Sequence, residues 1–132
     1  MKSLKFLPFL VICSIVLVGC SFSNVTISRQ HMTVKIYNIT GQDVKNLVVD
    51  NQPVGDLAKD SATAKLGFHS IMYDSGYLYP SLSGYIAGFE LKNHNWSWCG
   101  SERQARTEGK LELDLGITHN DGQAYLYLSE HQ

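Results

Sequence analysis

Among the residues able to do chemistry, Cys99 has the most suggestive neighbours. The stretch WCGSERQAR sets Arg103 and Arg106 close behind it, and nearby cations lower a thiol's pKa and favour the nucleophilic thiolate. No histidine stands beside it as a base, and unpaired cysteine is among the most buried residue types. A reactive thiol and a packed side chain therefore both remain open. Five histidines occur, at positions 31, 69, 94, 119 and 131, with neither H-x-H nor H-x-x-x-H spacing. A metal site from His94, Cys99 and His119 would need the fold to converge them, so none is expected. Glu112 and Asp114 alternate with leucines, as carboxylates do on the wet face of a sheet. There is no G-x-S-x-G, phosphate loop or zinc spacing. The expected protein is not an enzyme and carries no cofactor.

Aromatic side chains offer binding rather than catalysis. Tyr73, Tyr77, Tyr79, Tyr85, Phe89, Trp96 and Trp98 cluster in one quarter of the chain and could stack on a sugar or grip a partner protein. Tyr85 and Phe89 lie on a strand-like stretch, where aromatics usually pack the core, and are expected there. Tyr77 and Tyr79 stand beside Pro80 in a loop, and Trp96 and Trp98 share one strand face. These four form the candidate binding surface.

The elements that must position these residues read as strands. After residue 20 no stretch has helical periodicity, and alternation recurs instead. MTVKIYNITG puts Val34 and Ile36 on one face and turns at Thr40-Gly41 toward VKNLVVD, which suggests an opening hairpin. Asp50-Asn51-Gln52-Pro53 is turn-rich, and Pro53 lacks a ladder donor, so PVGDL belongs on a sheet edge. KDSATAK reads as loop. LGFHSIMYDSG and SGYIAGFELK follow as two strands separated by the loop GYLYPSLSG, with WSWC as a further short strand. The closing hairpin is the most sharply defined: KLELDLGITH and AYLYL alternate, and a two-residue Asp121-Gly122 turn pairs His119 with Ala124, Ile117 with Leu126 and Leu115 with Leu128. A three-residue loop would turn one aliphatic set to the wrong face. Many short strands without helices in a domain of this size predict an all-β antiparallel sandwich, immunoglobulin-like in one variant, with a small barrel as the alternative.

The N-terminus carries a different signal. MKSLKF places two lysines before the apolar run FLPFLVICSIVLV, the charge order of an export signal. The run is shorter than the roughly 20 residues of a membrane span, and no A-x-A cleavage site follows it. Leu17-Val18-Gly19-Cys20 stands there instead, and this tetrapeptide resembles the lipobox of bacterial lipoproteins. The resemblance, which covers residues 1–20, implies cleavage before Cys20, diacylglyceryl transfer to its sulfur and acylation of its new N-terminus. Ser21 rather than Asp after the cysteine implies the outer membrane over the inner one.

The expected organisation is a signal peptide over 1–19, a lipidated cysteine and polar tether over 20–30, and a β-sandwich over 31–132. The eleven basic residues lose Lys2 and Lys5 with the signal, leaving nine against twelve acids. A slightly acidic domain with no basic run is not expected to bind nucleic acid. With Cys20 acylated, Cys99 has no intrachain disulfide partner. N-x-[ST] triplets at Asn24, Asn38 and Asn95 suit eukaryotic glycosylation, against which the lipobox argues. Further on, Tyr37-Asn38-Ile39-Thr40-Gly41, Trp98-Cys99-Gly100 and the Gly109-Lys110 strand resemble small bacterial lipoproteins, a likeness that names no activity. The expected function is a non-enzymatic, lipid-anchored accessory or interaction domain of the cell envelope, bound to the membrane through Cys20. The alternatives are an inhibitor or immunity protein against an exported toxin or cell-wall hydrolase, using GYLYPSLSG, and a glycan or peptidoglycan binder.

Overall fold

The computed structural model describes residues 32–94 and 102–132. These contain eleven strands: β1 Met32–Asn38, β2 Val44–Val49, β3 Gln52–Leu57, β4 Leu66–Phe68, β5 Ile71–Asp74, β6 Tyr77–Leu78, β7 Leu82–Ile86, β8 Phe89–Lys92, β9 Arg103–Arg106, β10 Gly109–Asn120 and β11 Gln123–Glu130. They form an all-β sandwich. One four-stranded sheet runs β11-β10-β1-β4, a second runs β3-β2-β7-β8, and a three-stranded sheet runs β6-β5-β9.

Alternation decides which face each strand buries. Met32, Val34 and Ile36 on β1, Leu111, Leu113 and Leu115 on β10, and Leu126 and Leu128 on β11 form one wall of the core. Val44, Leu47 and Val49 on β2, with Leu82 and Ile86 on β7, form the facing wall. Gly84 on β7 has little free space: a Cβ there would stand 3.0 Å from Val44 Cγ1 on the neighbouring strand and 3.5 Å from Leu126 Cδ1 on the facing wall.

The closing hairpin has the expected register: His119 pairs with Ala124, Ile117 with Leu126 and Leu115 with Leu128. Asp121 and Gly122 both adopt positive φ, as a two-residue primed turn requires. β3, with Pro53 opposite Val48, is a sheet edge as its proline demands.

Four expectations are corrected. First, β1 does not form a hairpin with β2; it pairs in parallel with β10 and antiparallel with β4, so the first sheet is mixed. The chain leaves the sheet at Asn38, whose buried side-chain Nδ2 donates to the carbonyls of Gln42, Leu57 and Ala58 at 2.8–3.0 Å while its Oδ1 accepts from the Thr40 N–H and hydroxyl. This knot carries the chain from one sheet to the other. Second, LGFHSIMYDSG is two strands in different sheets. Phe68 and Ile71 are both fully buried, and three-residue spacing puts them on opposite faces of any continuous strand.

Third, SGYIAGFELK is a hairpin folded at Ala87-Gly88, with φ of 49° and 83°. Tyr85 consequently faces outward at 41% exposure, and Phe89, paired with Ile86 at the hairpin tip, is 74% exposed. Neither belongs to the core. Fourth, GYLYPSLSG is not all loop: Tyr77–Leu78 pairs with β5, and Leu82 opens β7.

Candidate functional site

The residues flanking β6 converge on a polar cleft of about 300 Å³, lined by Asp50, Asn51, Met72, Tyr73, Tyr79, Ser81, Asn93 and Arg103. Three local structures build it. At the β2–β3 turn, Asp50 and Asn51 adopt positive φ, 47° and 62°, a conformation that Asn and Asp tolerate better than most residues. Asp50 then spans the cleft floor: its Oδ2 accepts the Met72 N–H at 2.9 Å and its Oδ1 the Ser81 N–H at 2.7 Å, while its own N–H donates to the Ser81 carbonyl. One side chain thus ties the β2–β3 turn to β5 and to the approach of β7. Both of its oxygens already accept backbone hydrogens, which suits a fixed binding group better than a proton acceptor in catalysis.

The second wall is β5 against β9, with Asp74 opposite Arg103 and Tyr73 opposite Gln104. Asp74 is buried, and Arg103 Nε lies 3.6 Å from its Oδ2 while the guanidinium stands 5.9 Å from the Tyr79 ring centroid. Tyr73 has a buried hydroxyl with no hydrogen-bond partner among the described residues. The third wall comes after β8, where Asn93 Oδ1 accepts the Leu82 N–H at 3.0 Å. That bond fixes the amide's oxygen, and Asn93 lines the cleft beside it.

Of the expected binding residues, Tyr79 lines this cleft, its N–H donating to the Met72 carbonyl and its hydroxyl to the His94 carbonyl. Tyr77 does not; it stands 75% exposed on β6 beside the Ser75-Gly76 turn. Cys20, Trp96, Trp98 and Cys99 lie outside the described residues. His94 packs edge-on against Tyr125 and bonds to the Asn120 amide, whereas His119 lines a separate apolar groove with Ile86, Phe89, Leu91 and Ile117. Among the described residues no three His, Cys, Asp or Glu side chains come together as a metal set.

Two polar groupings escaped the sequence reading. One is the cleft itself, because Asp50, Asn93 and Arg103 are remote in sequence and only the three-sheet topology joins them. The other covers the outer face of the first sheet. There Tyr37 stacks on His131 with centroids 4.0 Å apart, its hydroxyl donates to Glu112 at 3.1 Å, and His131 Nδ1 meets Asp114 Oδ1 at 2.6 Å. Lys35 Nζ lies over the Tyr37 ring at 4.7 Å; Tyr37, with Glu112 adding a smaller pull, holds that ammonium above the usual lysine range. The alternation of Glu112 and Asp114 did mark this as a wet face, and its partners are cross-strand neighbours that no local spacing reveals.

No protein family, curated protein or solved structure matches the chain in comparison. No helix among the described residues is long and apolar enough to cross a membrane.

Proposed function

We propose that the protein is a lipid-anchored, non-enzymatic interaction domain of the bacterial cell envelope, tethered through Cys20 and presenting the Asp50–Arg103 cleft to its partner. The anchoring half rests on the lysine-flanked apolar run and Leu17-Val18-Gly19-Cys20, with the outer membrane favoured by Ser21. The binding half rests on one observation, that Asp50 is clamped by two backbone N–H groups and so holds a rigid polar recess in place. Preorganised polar groups lower the ordering cost of binding.

Fractionation of cells expressing the full chain tests the anchor. Cys20→Ala is expected to move the protein from the membrane to the soluble fraction and to abolish labelling by a radioactive fatty acid. Labelling that survives the substitution rules the anchor out. For the cleft, a photocrosslinking residue at Asn51 is expected to capture an envelope component; recovery of none, with a substrate turned over by the purified protein, overturns the reading.

A second reading, an inhibitor or immunity protein, is favoured by Tyr77, whose ring protrudes at the tip of a two-stranded turn. Tyr77→Asp or Tyr79→Asp should then abolish protection in a toxin-killing assay, and unchanged protection by both removes that interface.

A further inference from the structure

We infer that the cleft takes a short neutral saccharide, one or two rings long. This rests on the proposed function and names the ligand class for its site. The side chains exposed to the recess mix donors with acceptors at fixed positions. Asp50 contributes a carboxylate whose oxygens each retain lone-pair capacity beyond one backbone bond, Asn93 adds its side-chain amide, and Arg103 offers guanidinium N–H groups from a side chain 60% exposed. Tyr73 also lines the recess, its hydroxyl set beneath the surface. That hydroxyl has no partner among the described residues, and an unmatched buried hydroxyl costs free energy that a ligand atom would recover.

Charge narrows the class. An anion that meets Arg103 also meets Asp50, with Asp74 close behind; a cation that meets Asp50 also meets Arg103. An apolar ligand leaves every one of these groups desolvated and unmatched. A sugar hydroxyl both donates and accepts, so a polyhydroxylated ring answers the mixture without net charge. A cleft of about 300 Å³ is at the small end of ligand sites, which limits the ligand to one or two rings.

Titration of the full chain in detergent by calorimetry tests this, the probes being neutral hexose and N-acetylhexosamine mono- and disaccharides, with a sulfated disaccharide as control. At least one neutral sugar should bind and the sulfated analogue should bind more weakly. Arg103→Gln should weaken binding by about tenfold or more, the loss of a charge-assisted hydrogen bond. Tyr73→Phe is the sharper variant. It should leave the melting temperature unchanged or raised, because the lost hydroxyl has no partner among the described residues, yet weaken sugar binding about three- to tenfold. Binding by no neutral sugar, preference for the sulfated one, or affinity untouched in both variants overturns the inference. A cleft that crosslinks an envelope protein but takes no sugar sinks this inference alone; sugar binding by a chain that never acquires lipid sinks the anchored function alone.

Discussion

Asn38 shows how much one side chain can decide. The Asn38-Ile39-Thr40 triplet reads as a surface glycosylation acceptor, yet the Asn38 side chain is 2% exposed and every polar atom of it is engaged. Asn38→Ala removes the amide's bonds to the Gln42 and Ala58 carbonyls, leaves the buried Leu57 carbonyl without this donor, and is expected to cost about 3 kcal/mol in urea unfolding. Asn38→Asp should be at least as damaging, because an ionised carboxylate cannot donate to those carbonyls. A loss below about 0.5 kcal/mol for both would mean that the connection between the sheets does not depend on this amide. Phe89 makes the opposite point. Its type promised burial, and its place at the hairpin tip leaves it uncovered, because burial is a property of position within the sandwich and residue type only biases it.

At the scale of elements, turns were legible wherever the residues themselves dictate φ. Asp121-Gly122 names its own conformation, and Gly122 at φ 77° has open space where a Cβ would go. Gly122→Ala should therefore cost about 1 kcal/mol of backbone strain alone, read from thermal denaturation with the sheet register unchanged by NMR. Ala87-Gly88 was missed because alanine seldom takes positive φ, and the apolar run on either side of it conceals the turn. The bulge on β2 is set by charge. Asp56 accepts the Asn46 N–H at 3.0 Å and meets Lys45 Nζ at 3.2 Å, and these contacts, the backbone bond first, hold its carboxyl below the usual aspartate value. A lowered folded pKa means that the stabilisation is fully present above the unfolded value of 3.8 and is lost as pH falls through the folded one. Wild type should thus lose more melting temperature than Asp56→Asn between pH 5 and pH 2. The effect is small, because both side chains are exposed and screened; parallel melting curves for the two proteins over that range would refute it.

For the whole molecule, the legible parts were those in which neighbours along the chain are neighbours in space. All-β class, the β10–β11 register and the edge position of Pro53 follow from local pattern. The mixed sheet, the separation of β4 from β5 and the cleft depend on contacts between distant segments, which alternation cannot specify. Gly84 on β7 leaves room for Val44 on the neighbouring strand and faces Leu126 of the other large sheet. Gly84→Val is expected to destabilise by about 2–3 kcal/mol through overpacking and to shift core methyl resonances on both sheets; Val44→Ala in the same chain should recover part of the loss, since the two sites touch. Strict additivity of the pair would indicate that the two side chains do not compete for the space above Gly84.

The parallel pairing of β1 with β10, Val34 beside Leu111 and Ile36 beside Leu113, also governs timing. The first strand can meet β4 early, but its longer ladder, with β10, cannot begin until residues 109–115 are available, and such distant closures fold slowly. Until then Met32, Val34 and Ile36 lack Leu111, Leu113 and Leu115 beside them in the wall. The local hairpins can form before it, so the closure that completes the first sheet, β1 onto β10, is the late step that joins the two ends of the described domain.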